Sequence, residues 1–358
     1  MEHRIDAWLI LAVVGILGAS LVTQNAVTEV VGTQLLARQL LWACGGMLTL
    51  LALSRVRLDL YARLAPLVYI GGLAALVAVL FFGEIRSGTR GWFAVGPLTL
   101  QPSEFARVAT ILMVAAWLGR RSGGGLSAKE AAVVVALVGA TAGLVALEPD
   151  LGVTLTYLPV AVTALWLGGL PRWAWIGLIL LAMIIGFGAW HTVLKDFQKE
   201  RVLTVLDPER DPYGHGYQVR QSKIAVGSGG VAGQGVGHGS QSLLRYLPAR
   251  HTDFAFAVWA EATGFVGATG LLLGYALMLY RIGMAAAVAE NRHGLVLAIL
   301  VGSWLAFQVV INLGMVLGLL PTTGITLPLF SYGGSSLLST CAALGVVQSV
   351  WRHRLVNQ

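Results

Sequence analysis

Asp253 stands where a chain built only to cross lipid would not place it. It lies in "LPARHTDFAFAVWAE", residues 247–261, directly before an apolar run, with Arg250, His251 and Thr252 ahead of it and Glu261 two turns inside. Ionisable groups at membrane depth are costly, so each marks a candidate site. The plain reading of Asp253 is an N-cap or first-turn acid, worth about 1 kcal/mol. The sharper reading is a catalytic residue, because Lys223, Arg245, Arg250 and His251 lie close by in sequence or on the same loop. Glu104 offers a second case. It follows Gln101 and Pro102 at a predicted helix start, and Arg107 comes three residues later on the same face. That pattern is either a structural ion pair or an acid positioning a cation at a polar cavity. The third case is Glu148-Pro149-Asp150, a very short link between apolar runs. Its acids either cap helices or draw a divalent cation. No Ser-His-Asp order, no cysteine nucleophile and no metal-ligand spacing is evident.

These residues need elements to hold them, and composition says which. Of 358 residues, 56% are hydrophobic and only 11% charged, so the chain is expected to be an all-α integral membrane protein. About ten apolar runs are predicted to span, centred near residues 15, 45, 72, 112, 138, 160, 183, 265, 305 and 342. Cys44 and Cys341 both sit inside such runs and read as free small hydrophobes. The first run shows no convincing cleavage site and reads as a retained helix.

Lysine and arginine sort by loop. "SRVRLDLYAR", "GRRSGGGLSAK", "RIGMAAAVAENRH" and the tail "WRHRLVNQ" carry them, whereas "TEVVGTQ", "EPD" and "PTTGITLPLFSYGG" carry none. Both termini are therefore expected in the cytoplasm, with an even helix count. The net charge of +7 follows from this bias and faces lipid headgroups; it implies no nucleic acid. One domain over 1–358 is expected, with a large extracytoplasmic loop at about 195–253 between helices 7 and 8. Bulky and charged residues interleave with its glycines, which suits a folded cap better than a tether. No Gly-Lys-Ser/Thr follows those glycines, so nothing points to ATP.

Six stretches then combine: "GWFAVGPLTLQPSE", "EPDLG", "QSKIAVGSGG", "GQGVGHGSQSLLRYLP", "HTDFAFAVWAE" and "PTTGITLPLFSYGGSS". In these residues and their order the chain resembles the SEDS family (shape, elongation, division and sporulation), on its rod-shape rather than its division branch. The resemblance implies a peptidoglycan glycosyltransferase that polymerises lipid II outside the cytoplasmic membrane, beside a class B penicillin-binding protein. It implies Asp253 as the essential aspartate, with Glu104 and Arg107 as the acid and base of the Gln-Pro-Ser-Glu motif. Three positions depart from the pattern: Arg107 where lysine is usual, and Ala249 and Ala262 where glutamates are frequent. Arg90, Arg107, Lys223 and Arg245 are the candidate cations for the pyrophosphate of the lipid, with Gln101, His251, Thr252, Glu261, Glu148 and Asp150 as further site candidates. No cofactor is required by the motifs, and a divalent cation (Mg²⁺ or Mn²⁺) is the one addition the chemistry would accommodate. Two other classes stay open: a lipid II flippase and a non-catalytic scaffold for cell-wall enzymes. Charged motifs gathered at the exported face favour surface chemistry over a midplane transport site.

Overall fold

The computed structural model describes residues 5–354 apart from 32–33, 87, 96–97, 122, 193–195, 208–210, 212–213, 244–245 and 248. In chain order the elements begin with α1 (Ala7–Val31), α2 (Leu35–Leu53) and α3 (Leu58–Phe82). A small antiparallel sheet follows, β1 (Glu84–Arg86), β2 (Thr89–Val95) and β3 (Leu98–Leu100), then α4 (Pro102–Gly119), α5 (Ala128–Leu147), α6 (Leu151–Leu155), α7 (Tyr157–Leu167) and α8 (Arg172–Thr192). Three short helices come next, α9 (Asp196–Leu206), α10 (His215–Ser228) and α11 (Ser240–Leu243). The chain closes with α12 (Ala255–Ala287), α13 (Arg292–Val316) and α14 (Gly334–Arg352).

The ten apolar runs of the sequence correspond to α1 to α5, the pair α6–α7, α8, α12, α13 and α14. The chain is thus a multi-pass, all-α membrane protein. Seven of the described helices are long and apolar enough to cross a membrane. The shorter or more polar exceptions are α4, α6–α7 and α14, and their place in the bundle explains why. Fourteen of the eighteen residues of α4 and thirteen of the nineteen of α14 are buried. These helices meet protein on most sides: α4 packs on α3 and α13, and α14 on α2. Side chains facing protein need not be apolar, so Glu104, Arg107 and Thr110 on α4 and Ser335, Ser339, Thr340 and Gln348 on α14 are all buried.

Local signals place the helix ends. Ser127 accepts from the Glu130 amide and Glu130 reaches back to the Ser127 amide, a capping box that starts α5. Asp150 Oδ1 accepts from the Val153 amide at 3.0 Å and starts α6. Asn291 accepts from the Gly294 amide at 2.9 Å and starts α13. Cys44 and Cys341 are both free.

The segment before α12 is built around a break in that helix. At Gly264 the backbone swings to φ 66°, ψ −162°, which frees amides and carbonyls that lipid cannot satisfy. The glycine-rich stretch 230–235 satisfies them. The Phe265 amide donates to Gly230 O at 2.8 Å and the Val266 amide to Val231 O at 3.2 Å. In return the Gln234 and Gly235 amides donate to Glu261 O and Ala262 O, both at 3.0 Å. The glycines of 230–235 thus serve a backbone contact, as suits a folded cap. A Cβ at Gly264 would lie 2.3 Å from Gly233 N and 2.6 Å from Val231 O. Gly264→Ala adds that collision to the roughly 1–3 kcal/mol cost of a side chain in this positive-φ, extended-ψ region, which is essentially open to glycine alone, and its melting temperature in detergent should drop sharply. Gly270→Ala on the same helix meets nothing within 4 Å and serves as control. Equal melting of the two variants would contradict the account of the break.

Candidate active site

The bundle encloses a cavity of about 770 Å³. Asp253, Thr252 and His251 reach it from the turn before α12, Glu104 and Gln101 from the start of α4, and Asp150 from the α5–α6 link. The loop 321–326 and the start of α14 close another side. Residues 101, 104, 150, 251, 252 and 253, scattered over half the chain, thus share one chamber.

The turn carrying Asp253 is fixed by its backbone. Gln24 of α1 donates to His251 O (3.2 Å), as does the Tyr332 amide (2.8 Å). Ser331 Oγ donates to Thr252 O (2.6 Å), and Asn312 Nδ2 to both Asp253 O (3.0 Å) and Ile325 O (2.8 Å). With its carbonyls held by three elements, the turn leaves the Asp253 carboxylate at the cavity. Burial pushes that carboxyl above the ordinary aspartate range; the Thr252 hydroxyl and the Arg201 charge pull it down, and Asp150 pushes it up. Asp150 is raised likewise, chiefly by burial. His251 is lowered by burial and by the Arg250 charge, so its ring is neutral near pH 7.

Glu104 and Arg107 pair as their spacing predicts, one turn apart and both buried. Glu104 Oε2 also accepts from Ser339 Oγ at 3.1 Å. Arg107 lies behind it, outside the cavity lining. Its Nη1 donates to Thr156 Oγ1 at 2.7 Å, and its guanidinium lies 4.4 Å from the centre of the Trp304 ring. Glu104 thus presents to the cavity a carboxylate whose countercharge is held from below.

The acids of "EPD" part company. Asp150 Oδ2 accepts from Gln101 Nε2 at 3.2 Å within the cavity. Glu148 is fully buried outside the lining and packs against Gly91 of β2, where a Cβ would meet its Oε2 at 2.7 Å. Neither of its carboxyl oxygens has a hydrogen-bond partner among the described residues, and burial and Asp150 raise its pKa to about 8. Among the described residues no three His, Cys, Asp or Glu side chains gather to hold a metal ion.

The other described sequence candidates fall outside the chamber. Arg90 is exposed on β2 and donates to Leu80 O at 3.4 Å. Lys223 is exposed on α10, its stem against Gly318. Glu261 is buried at the helix break and accepts from the Gln241 amide at 2.8 Å, clamping the start of α11. Arg245 lies outside the described residues. Among the described residues the arginines lining the cavity are instead Arg38 of α2, Arg86 of β1 and Arg201 of α9. Sequence reading passed over them because nothing in "DFQKERVL" sets Arg201 apart from Lys199 until α9 folds over the chamber.

Comparison with known proteins decides the family. The description "Cell cycle protein" (FtsW/RodA/SpoVE) matches residues 3–355. The chain belongs to the FtsW/RodA/SpoVE family. A relative, the peptidoglycan glycosyltransferase MrdB of Escherichia coli K12, is 41% identical over 311 residues, 86% of this chain and 83% of that protein. A probable peptidoglycan glycosyltransferase FtsW of Coxiella burnetii is 34% identical over 96% of this chain and 95% of its own length. Among solved structures, the rod-shape-determining protein RodA of Thermus thermophilus is 32% identical and covers 99% of both chains with a TM-score of 0.73. A chain from a peptidoglycan synthase complex, solved for its coordination of polymerization and crosslinking, is 35% identical, covers 98% of both chains and reaches a TM-score of 0.83. Membership in the FtsW/RodA/SpoVE family agrees with the SEDS resemblance of the sequence motifs.

Proposed function

We propose that this chain is a peptidoglycan glycosyltransferase of the rod-shape branch that polymerises lipid II during cell elongation, with Asp253 as general base. The observation that carries the reading is the single chamber in which a buried, raised carboxylate at a helix mouth shares space with three arginines. In the reaction the 4-hydroxyl of an acceptor N-acetylglucosamine attacks the anomeric carbon of a donor N-acetylmuramic acid. Asp253 takes the hydroxyl proton as the new C–O bond forms. The bond to undecaprenyl pyrophosphate breaks, and configuration inverts from α to β. A base with a raised pKa accepts that proton more readily than an ordinary aspartate. Arg38, Arg86 and Arg201 offset the charge of the departing pyrophosphate. Trp42, Trp92, Leu151, Leu155 and Val202 supply apolar wall for the start of the polyprenyl chain.

The reading extends to the setting. The chain works in the cytoplasmic membrane as one polytopic unit, beside a class B penicillin-binding protein that crosslinks the product. Both termini face the cytoplasm, and segment 195–253 covers the site from outside, since the lysine- and arginine-free loops lie on that side. A cysteine introduced in that segment should react with an impermeant thiol reagent on intact spheroplasts; labelling only after membrane disruption would reverse the orientation. The chemistry itself is tested by incubating the purified protein with lipid II and digesting the product with a muramidase. A polymer cleaved to disaccharide units supports the inverting transfer, and a muramidase-resistant product would contradict it.

A further inference from the structure

On α13, Trp304, Gln308 and Asn312 recur every fourth residue and so share one face. The outer two are committed to the catalytic machinery. Trp304 underlies the Arg107 guanidinium at 4.4 Å, and Asn312 holds the Asp253 carbonyl at 3.0 Å. Gln308 stands between them, about 6 Å along the axis from each. It lines the cavity, its residue is 2% exposed, and its Oε1 accepts no hydrogen bond from any of the described residues. A second cavity-lining group is in the same state: the buried hydroxyl of Thr323, on the loop that faces α6. Buried polar atoms are almost always hydrogen-bonded, and an unmade bond to one is costly. Here one is an acceptor only, and the other is able to donate. Together they complement a secondary amide, which offers one N–H and one C=O.

We infer that Gln308, with Thr323, recognises the 2-acetamido group of the acceptor sugar and selects for N-acetylated hexosamine. The inference rests on the glycosyltransferase reading above. The 4-hydroxyl that Asp253 deprotonates and the 2-acetamido group flank C3 of one pyranose ring, both equatorial. Gln308, one helical turn from the residue that anchors Asp253, is placed for the second of these neighbouring groups. Its Oε1 accepts from the acetamido N–H, and the Thr323 hydroxyl donates to the acetamido C=O.

The test compares lipid II with an analogue whose glucosamine acetamido N–H is replaced by an ester oxygen. Wild-type protein should use the analogue about 10- to 100-fold less efficiently in kcat/KM, with the loss carried by KM. Gln308→Met, which keeps the volume and removes the acceptor, should bring the two substrates within about threefold of each other. Gln308→Glu keeps an acceptor and should retain the preference. If the Met variant makes no polymer, displacement binding of the two lipids to the detergent-solubilised variant reads the same ratio. A wild-type protein indifferent to the ester, or a preference undiminished in Gln308→Met, overturns the inference and leaves the transferase standing. Absence of any wild-type polymer from lipid II would instead sink the transferase reading.

Discussion

Asp253→Asn is expected to lower the rate of glycan polymerisation by about 10²- to 10⁴-fold, the usual contribution of a positioned general base. The substitution is nearly isosteric, and the turn is held through carbonyls that it leaves in place: Asn312 on residue 253 itself, Ser331 on Thr252, and Tyr332 and Gln24 on His251. Folding and membrane insertion should therefore survive. The wild-type rate should also fall as pH falls through the Asp253 pKa, because only the carboxylate accepts a proton. Burial and Asp150 both raise that pKa, so the acid limb should lie above the ordinary aspartate value of about 3.9. Asp150→Asn removes a like charge and should move the limb to lower pH. A limb that stays put, or moves upward, would uncouple the two carboxyls. Wild-type polymerisation by Asp253→Asn would leave the transferase but remove this residue as its base.

Arg107→Ala should be the most damaging change to stability. It strands the Glu104 carboxylate in a buried site, and losing one partner of a buried pair typically costs about 3–5 kcal/mol. The Thr156 hydroxyl and the Trp304 ring lose their partner at the same time. Arg107→Lys keeps the charge without the fork and should fall between. Replacing both members, as Glu104→Gln with Arg107→Met, should restore much of the melting temperature without restoring activity, because the cavity then lacks the Glu104 carboxylate. Thermal unfolding in detergent and polymerisation on the same samples separate the two effects. An Arg107→Ala protein that melts like the wild type would show that the pair carries no structural weight. Activity in the double variant would reduce the pair to a structural role.

The spans were legible because lipid imposes a length and a polarity that hydropathy reads directly. Even α4, whose buried Glu104 and Arg107 dilute the pattern, showed itself through Pro102 and the acid in its first turn. Much of the site was legible for a related reason: Asp253, Glu104 and Asp150 are charges at helix mouths, where a membrane chain needs a reason to keep them. What could not be read was which cations meet them. Lys223 and Arg245 are near Asp253 in sequence or on its loop, yet Lys223 is exposed outside the lining while Arg201, fifty-two positions upstream, lines the chamber. That choice depends on how α9 and α10 fold back, and short polar helices carry little periodic signal to say so. Glu261 shows the converse. As a buried acid it read as chemistry, and the structure gives it a backbone amide to hold beside the Gly264 break.

The measurement that bears most directly on the central claim is glycan-chain formation from purified lipid II in detergent, with the presumptive transpeptidase partner present and absent. Transbilayer movement has no meaning there, so a flippase or a scaffold would yield nothing. The account predicts chains from the wild-type protein and almost none from Asp253→Asn at equal concentration. No chains from the wild-type protein, even with its partner, would contradict it.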